Sequence, residues 1–261
     1  MIVERLWVGN RLRNYNYLVA CEETGEALAI DPLDHRACLH VARERGLDVT
    51  QVLNTHEHAD HIGGNPQLVA ATGAEVIAHR LAEIPGVDRR VGAGAVVRVG
   101  KTVELECLDT PGHTMSHVCL LAHGPEAALF SGDTLFNAGA GNCYNGGDPE
   151  ALYETFSQQL DRLDDSVRLY PGHDYLVGNL RFTLDREPEN AAAAAMLGRA
   201  EGRDGDGAPV LTLGQEKAIN TFFRLQSGGV VDGLRRSFEG LPEAPGPKQV
   251  FLLLRELRNR W

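Results

Sequence analysis

The chain has 261 residues, enough for one large domain or two modest ones. An apolar content of 43% beside 23% charged residues excludes a disordered or fibrous chain, and a formal charge of −11 argues against nucleic acid as a general partner. No apolar run approaches the roughly 20 residues that cross a bilayer, and the start at Met1–Arg5 lacks a basic segment leading into an apolar one, so neither membrane nor export is expected.

Tyr15 to Ala20 and Glu26 to Ile30 read as short strands around a Glu-Glu-Thr-Gly turn. Asp34 to Arg45 carries apolar residues at helical spacing and stops at Gly46. Val49 to Leu53 reads as a buried strand that leads directly into a polar, His-rich loop. Gln67 to Thr72 is expected as helix and Glu75 to Ala78 as strand. Val91 to Val99, Thr102 to Leu108, Val118 to Ala122 and Ala127 to Ser131 continue the β content. Pro149 to Leu163 has a helical period, and Val167 to Tyr170 reads as a last strand. Beyond about Tyr175 the strand alternation disappears. Asn190 to Ala200, Thr212 to Leu225 and Lys248 to Arg260 are predicted helices, with Gly202 to Gly207 a flexible surface loop and Gly240 to Pro247 a connector. The pattern predicts an α/β unit over residues 1–175 and a smaller all-helical unit over residues 176–261. Five scattered cysteines, an odd number without a C-x-x-C pair, read as reduced thiols in a cytoplasmic protein.

Chemistry-bearing residues gather behind the predicted strands. The first group is His56-Glu57-His58-Ala59-Asp60-His61, followed by Gly63-Gly64. In extended chain, residues two apart point the same way, so His56 and His58 can grip one metal. A turn into helix then redirects Asp60 and His61 toward a neighbouring position, and the glycines permit close backbone approach. His113 and His117 follow the second such strand, Asp133 the third, and His173 the fourth, within Pro171-Gly172-His173. Such N/O ligands suit zinc, iron or manganese.

H-x-H-x-D-H with the later His, Asp and His resembles the metallo-β-lactamase superfamily, whose fold is an αββα sandwich with metals along one edge. Asn14-Tyr15-Asn16-Tyr17, Gly132-Asp133-Thr134-Leu135-Phe136, Asn179-Leu180-Arg181-Phe182, Glu187-Pro188-Glu189-Asn190 and Thr212 to Lys217 on to Asn220 and Phe223-Arg224 narrow the resemblance to its glyoxalase II branch, the hydroxyacylglutathione hydrolases. The resemblance implies that His56, His58 and His113 hold a first divalent metal and that Asp60, His61 and His173 hold a second. Asp133 would bridge them, with zinc the first choice and iron or manganese also accommodated. Asp60 and Asp133 would be the catalytic carboxylates around a water made nucleophilic by two ions. The substrate implied is S-D-lactoylglutathione, cleaved to glutathione and a 2-hydroxy acid.

Glutathione is anionic and calls for local basic residues in so acidic a chain. By resemblance Arg255 and Arg258 would receive its glycine carboxylate, while Tyr144 and Tyr175 line its pocket. Asn142 stands where the family carries a basic residue, and Ser116 and Thr221 replace a glycine and a proline. His35, His40, His79, His117 and His123 have no ligand match, and Glu57 is expected to be solvated. The competing readings are a mononuclear iron persulfide dioxygenase, a lactonase or β-lactamase, and a silent metal-binding relative. The helical signatures favour the hydrolase, and all seven ligand positions are filled, which disfavours the silent relative. A monomer or weak oligomer is expected.

Overall fold

The computed structural model describes residues 1–261. Its first sheet has six strands in chain order: β1 (Ile2–Trp7), β2 (Tyr15–Ala20), β3 (Glu26–Ile30), β4 (Asp48–Asn54), β5 (Glu75–His79) and β6 (Arg89–Val91). The second sheet contains β7 (Val96–Val99), β8 (Val103–Asp109), β9 (Val118–Ala122), β10 (Ala128–Gly132) and β13 (Arg168–Pro171), in the order β13-β10-β9-β8-β7. A hairpin of β11 (Leu135–Phe136) and β12 (Gly139–Ala140) stands apart.

Alternation along the strands explains how the layers stack. Tyr17 and Val19 of β2 face inward onto Val97, Leu105, Leu120 and Phe130 of the second sheet. Leu18 and Ala20 face outward onto Cys38 and Ala42 of α1 (His35–Arg45) and Leu68 of α3 (Asn65–Thr72). Every residue of β2 is therefore buried, since both faces of the sheet are covered. The opposite face of the second sheet, with Leu121, Leu129 and Leu169, packs on α4 (Pro149–Gln158) and on the C-terminal helices. These helices are α5 (Leu176–Arg186), α6 (Ala191–Ala200), α7 (Leu213–Ile219), α8 (Gly228–Arg235) and α9 (Pro247–Arg260). The result is an αββα sandwich followed by a helical C-terminal region. No helix is long and apolar enough to cross a membrane.

Four expectations change. Val91 to Val99 is two strands of different sheets, because Gly92–Ala95 turn the chain, with Gly94 at φ +77°. The helix expected from Thr212 to Leu225 ends at Ile219, where the Asn220 side chain accepts from the Phe222 N–H and turns the chain away. The helix from Pro149 stops at Gln158 and continues only as a single 3-10 turn at Leu160–Arg162. The loop at 202–207 is anchored: the Gly205 carbonyl accepts from the Tyr15 hydroxyl at 2.8 Å. Strand β1 and helices α5 and α8 add to the sequence expectation. The two opening glycines of α8 mask its helical pattern.

Candidate metal centre and active site

Parallel pairing of β3 with β4, and of β10 with β13, puts their C-terminal ends on one edge of the sandwich. Both β8 and β10 run antiparallel to β9, so their ends meet there too. The loops that follow carry His56, His58, Asp60 and His61 after β4, His113 after β8, Asp133 after β10 and His173 after β13. Asp60 and His61 lie on α2 (Ala59–Ile62), the short helical turn expected to redirect them.

The outward nitrogen of each imidazole is held by the protein, and this decides which nitrogen faces inward. His113 Nδ1 donates to the Asn142 carbonyl at 2.6 Å, and His173 Nδ1 donates to the Leu12 carbonyl at 2.7 Å. His58 Nε2 donates to the Asn145 carbonyl at 3.1 Å, and His61 Nδ1 to the Asp31 carboxylate at 2.9 Å. Thr55 donates its hydroxyl to Asp31 and so accepts from His56 Nδ1 at 3.0 Å. Each inner nitrogen is thereby left as a bare lone pair. His58 Nδ1 lies 3.0 Å from both His56 Nε2 and His113 Nε2, while His61 Nε2 and His173 Nε2 are 3.2 Å apart.

Two carboxylates complete the cluster. Asp133 Oδ2 lies 3.2 Å from His173 Nε2 and 3.5 Å from His113 Nε2, and Oδ1 lies 3.4 Å from His61 Nε2. Oδ1 is buried with no hydrogen-bond partner. Asp60 Oδ2 is 3.5 Å from His173 Nε2 and accepts from Asn14 Nδ2 at 3.1 Å. Lone pairs packed this closely repel one another, and cations among them turn the repulsion into ligation. The donor set fits divalent metals in two groups, with Asp133 touching both.

Electrostatics run the same way. Burial, reinforced by His61, pushes the His56 imidazole well below its usual range, and burial likewise lowers His113, so both remain neutral as ligands must be. Burial opposes ionisation of Asp133, yet His173 and His61 outweigh it and hold its carboxyl well below the carboxylate range. At His61 the sense is opposite: burial opposes its charge, but Asp133 and Asp31 prevail and raise it, so a metal ion there would displace a proton.

Close approach fixes two glycines here. Gly132 sits at φ +45°, and a Cβ on it would come within 2.5 Å of the Thr55 hydroxyl. A Cβ on Gly172 would collide with Asp133 Oδ1.

The surrounding residues separate. Tyr175 stacks on His173 with ring centroids 4.9 Å apart, and burial raises its phenol. With Arg258 and Arg13 it borders a cleft of about 360 Å³. Tyr144 is 65% exposed and its hydroxyl donates to the Asn259 carbonyl at 3.3 Å. The Asn142 side-chain oxygen accepts from the Tyr144 N–H at 3.2 Å. Arg258 donates to Asn179 Oδ1 at 3.1 Å. Arg255 does not pair with it: only 4% exposed, it sends Nη1 to the carbonyls of Ala140 at 2.7 Å and Gly141 at 3.0 Å. Burial lowers its guanidinium to about 10, and only an edge reaches a second cleft beside Cys143 and Tyr144.

Two residues, Asp31 and Asn14, add to the sequence reading, and His117, already a candidate supporting residue there, is an acceptor at the site. Asp31 holds His61, and Asn14 holds Asp60. His117, buried and stacked on His56, accepts the Asp133 backbone N–H at 3.1 Å. Glu57 is not merely solvated, because it accepts from the hydroxyls of Ser116 and Thr114.

Comparison with known proteins agrees with this geometry. Residues 14–173 match the model of the metallo-beta-lactamase superfamily, and residues 174–261 match that of the hydroxyacylglutathione hydrolase C-terminus. The chain is 62% identical to a hydroxyacylglutathione hydrolase of Polaromonas sp., over 100% of both chains. It belongs to the hydroxyacylglutathione hydrolase family. A relative of the same name from Nitrosococcus oceani is 57% identical, again over 100% of both chains. Among solved structures, ETHE1 from Myxococcus xanthus superposes with a TM-score of 0.68 at 28% identity, covering 99% of this chain and 98% of that one. The chain is thus a hydrolase of the glyoxalase II type, and its His/Asp clusters are those of a divalent-metal enzyme.

Proposed function

We propose that this chain hydrolyses S-(2-hydroxyacyl)glutathione thioesters, S-D-lactoylglutathione foremost, giving glutathione and a 2-hydroxy acid. His56, His58 and His113 would hold one divalent ion, Asp60, His61 and His173 a second, and Asp133 would touch both, with zinc the first choice. The carrying observation is the convergence of five bare imidazole nitrogens and two carboxylates on one edge of the sandwich. When bound, such a pair of ions lowers the pKa of a shared water toward about 7 and polarises the thioester carbonyl.

The chain's own residues do the rest. Asp60, steadied at Oδ2 by Asn14, is positioned to accept a proton from the attacking water. Asp133, kept ionised by its histidines, supplies negative charge between the two ligand groups. The leaving thiolate belongs to a thiol of pKa about 8.5 and departs without a dedicated acid. Arg258 and Tyr175 bordering one cleft, and Tyr144 with Arg255 bordering a second, support a seat for the anionic thiol carrier. We assign catalysis to residues 1–175, with residues 176–261 completing the carrier site through Arg258. The scattered, unpaired cysteines support a reducing cytoplasm.

The test is a panel of glutathione and coenzyme A thioesters on metal-quantified protein. Cleavage of S-D-lactoylglutathione with two ions per chain is expected. Oxygen uptake on a glutathione persulfide with one iron per chain, and no thioester cleavage, would overturn the reading.

A further inference from the structure

Of the second ligand group, Asp60 and His61 follow a strand of the first sheet and His173 a strand of the second, so the group depends on how the two sheets are held at this edge. Beside it they are tied by a short bridge between the entry to β2 and the exit of β13. Asn14 pairs antiparallel with His173. The Tyr15 N–H donates to the Gly172 carbonyl at 2.8 Å, and the Asp174 N–H donates to the Arg13 carbonyl at 3.0 Å. Two ligand positions hang from this bridge. The Leu12 carbonyl receives His173 Nδ1, and Asn14 Nδ2 holds Asp60 at its carbonyl and at Oδ2, each at 3.1 Å.

So few paired residues do not keep their conformation in water unaided. The Arg13 side chain closes the bridge from outside. Its Nε donates to the Asp174 carbonyl at 2.8 Å, and its Nη2 donates to the Asp174 carboxylate, which is only 8% exposed. The guanidinium also lies over the ring of Trp7 on β1, 4.9 Å from its centroid. The Arg13 backbone has a left-handed φ of +61°, which costs energy at a residue with a Cβ. Glycine would take that φ freely. What the position gains from arginine is therefore the side chain, a guanidinium that ties β1 to the carboxylate next to His173.

We infer that Arg13, acting through Asp174, is a positioning residue for the second ligand group, pinning the bridge that sets His173 against Asp60. The first group is oriented by other partners: His56 by Thr55, His58 by the Asn145 carbonyl and His113 by the Asn142 carbonyl. The inference rests on the hydrolase reading only for which groups hold the ions.

Arg13→Gly, which keeps the backbone conformation and removes the guanidinium, and Asp174→Ala test it in the full chain. Each is stripped and titrated with zinc ions alone against a competing chelator. One of the two ions per chain is expected to need about tenfold more free zinc, the lower end of what outer-shell partners contribute, while the other binds as in the parent. The two residues act as a unit, so the double variant should bind no more weakly than the worse single one. On zinc-saturated enzyme kcat falls while KM stays within about twofold of the parent. Parental binding of both ions, or equal weakening of both, would overturn the inference. Parental zinc binding with a raised KM would also overturn it, making Arg13 a carrier contact in the cleft it shares with Tyr175. Should Arg13→Gly fail to fold, Asp174→Ala decides alone by the same zinc readout. A parent that binds two zinc ions yet cleaves no glutathione thioester overturns only the substrate reading, because the affinity measurement does not depend on turnover.

Discussion

The Asp31 carboxylate takes the Nδ1 proton of His61 at 2.9 Å while accepting both the N–H and the hydroxyl of Thr55. One buried acid thus fixes the tautomer of one ligand position and the start of the loop that carries three others. Asp31→Ala should lower zinc affinity by roughly 10–100-fold. It should also cost about 2–3 kcal/mol of stability through the unsatisfied Thr55 groups. Chelator competition and urea unfolding check the two effects, and a variant normal in both would refute the role.

Arg258 borders the cleft shared with Tyr175, and its guanidinium is bonded only to the neutral Asn179 amide. Arg258→Met should raise KM for S-D-lactoylglutathione by about 10–100-fold, the loss of one charge-assisted contact. The contact is remote from the carbonyl, so kcat should change by less than about twofold. Steady-state kinetics on metal-replete enzyme check this, and an unchanged KM would remove Arg258 from the carrier site.

Glu216 is fully buried, and burial pushes its carboxyl from 4.5 up to about 7, against the Asn137 and Ala138 donors. An acid whose pKa is higher in the folded than in the unfolded state binds its proton more tightly when folded. Its contribution to stability is therefore present at low pH and lost as pH rises from about 4.5 to about 7, levelling above that. The total loss is at most about 3 kcal/mol. Glu216→Gln, with Asn137 free to turn its amide, should flatten this slope in denaturant unfolding between pH 5 and pH 8. An unaltered slope would exclude Glu216 as its source.

Removing metal restores repulsion among five facing nitrogens. A ligand present at a thousand times its Kd stabilises by about 4 kcal/mol, which for a chain of this size is roughly 10 °C in Tm. Chelator-treated protein should melt lower by that order and recover on adding zinc. Identical melting curves would mean that no ion is held by the folded state.

The histidine cluster was legible in the sequence because ligands at fixed spacing behind strands leave a dense local signature. Asp31 left none: a single acid between a strand and Pro32 looks like any turn residue, and its partner His61 is 30 positions away. Arg255 and Arg258, three apart, were expected to share a task. Yet α9 buries Arg255 beside Leu254 and leaves Arg258 at the cleft, and a sequence does not show whether a guanidinium at the margin of an apolar stripe meets solvent or backbone. The split of Val91–Val99 was hidden for a related reason. Alternation persists across the Gly92–Ala95 turn, while the sheet to which the strand belongs changes.

The outer face of the second sheet shares one apolar cluster with α4, α5, α7, α8 and α9, uniting Leu129 and Phe156 with Phe182, Phe222 and Phe251. A chain severed near residue 175 would bare that surface to water, and the amino-terminal piece would tend to clump before it could accept any ion. Exchanging the carboxy-terminal third between relatives therefore means transplanting its apolar counterpart on β9, β10 and β13 as well.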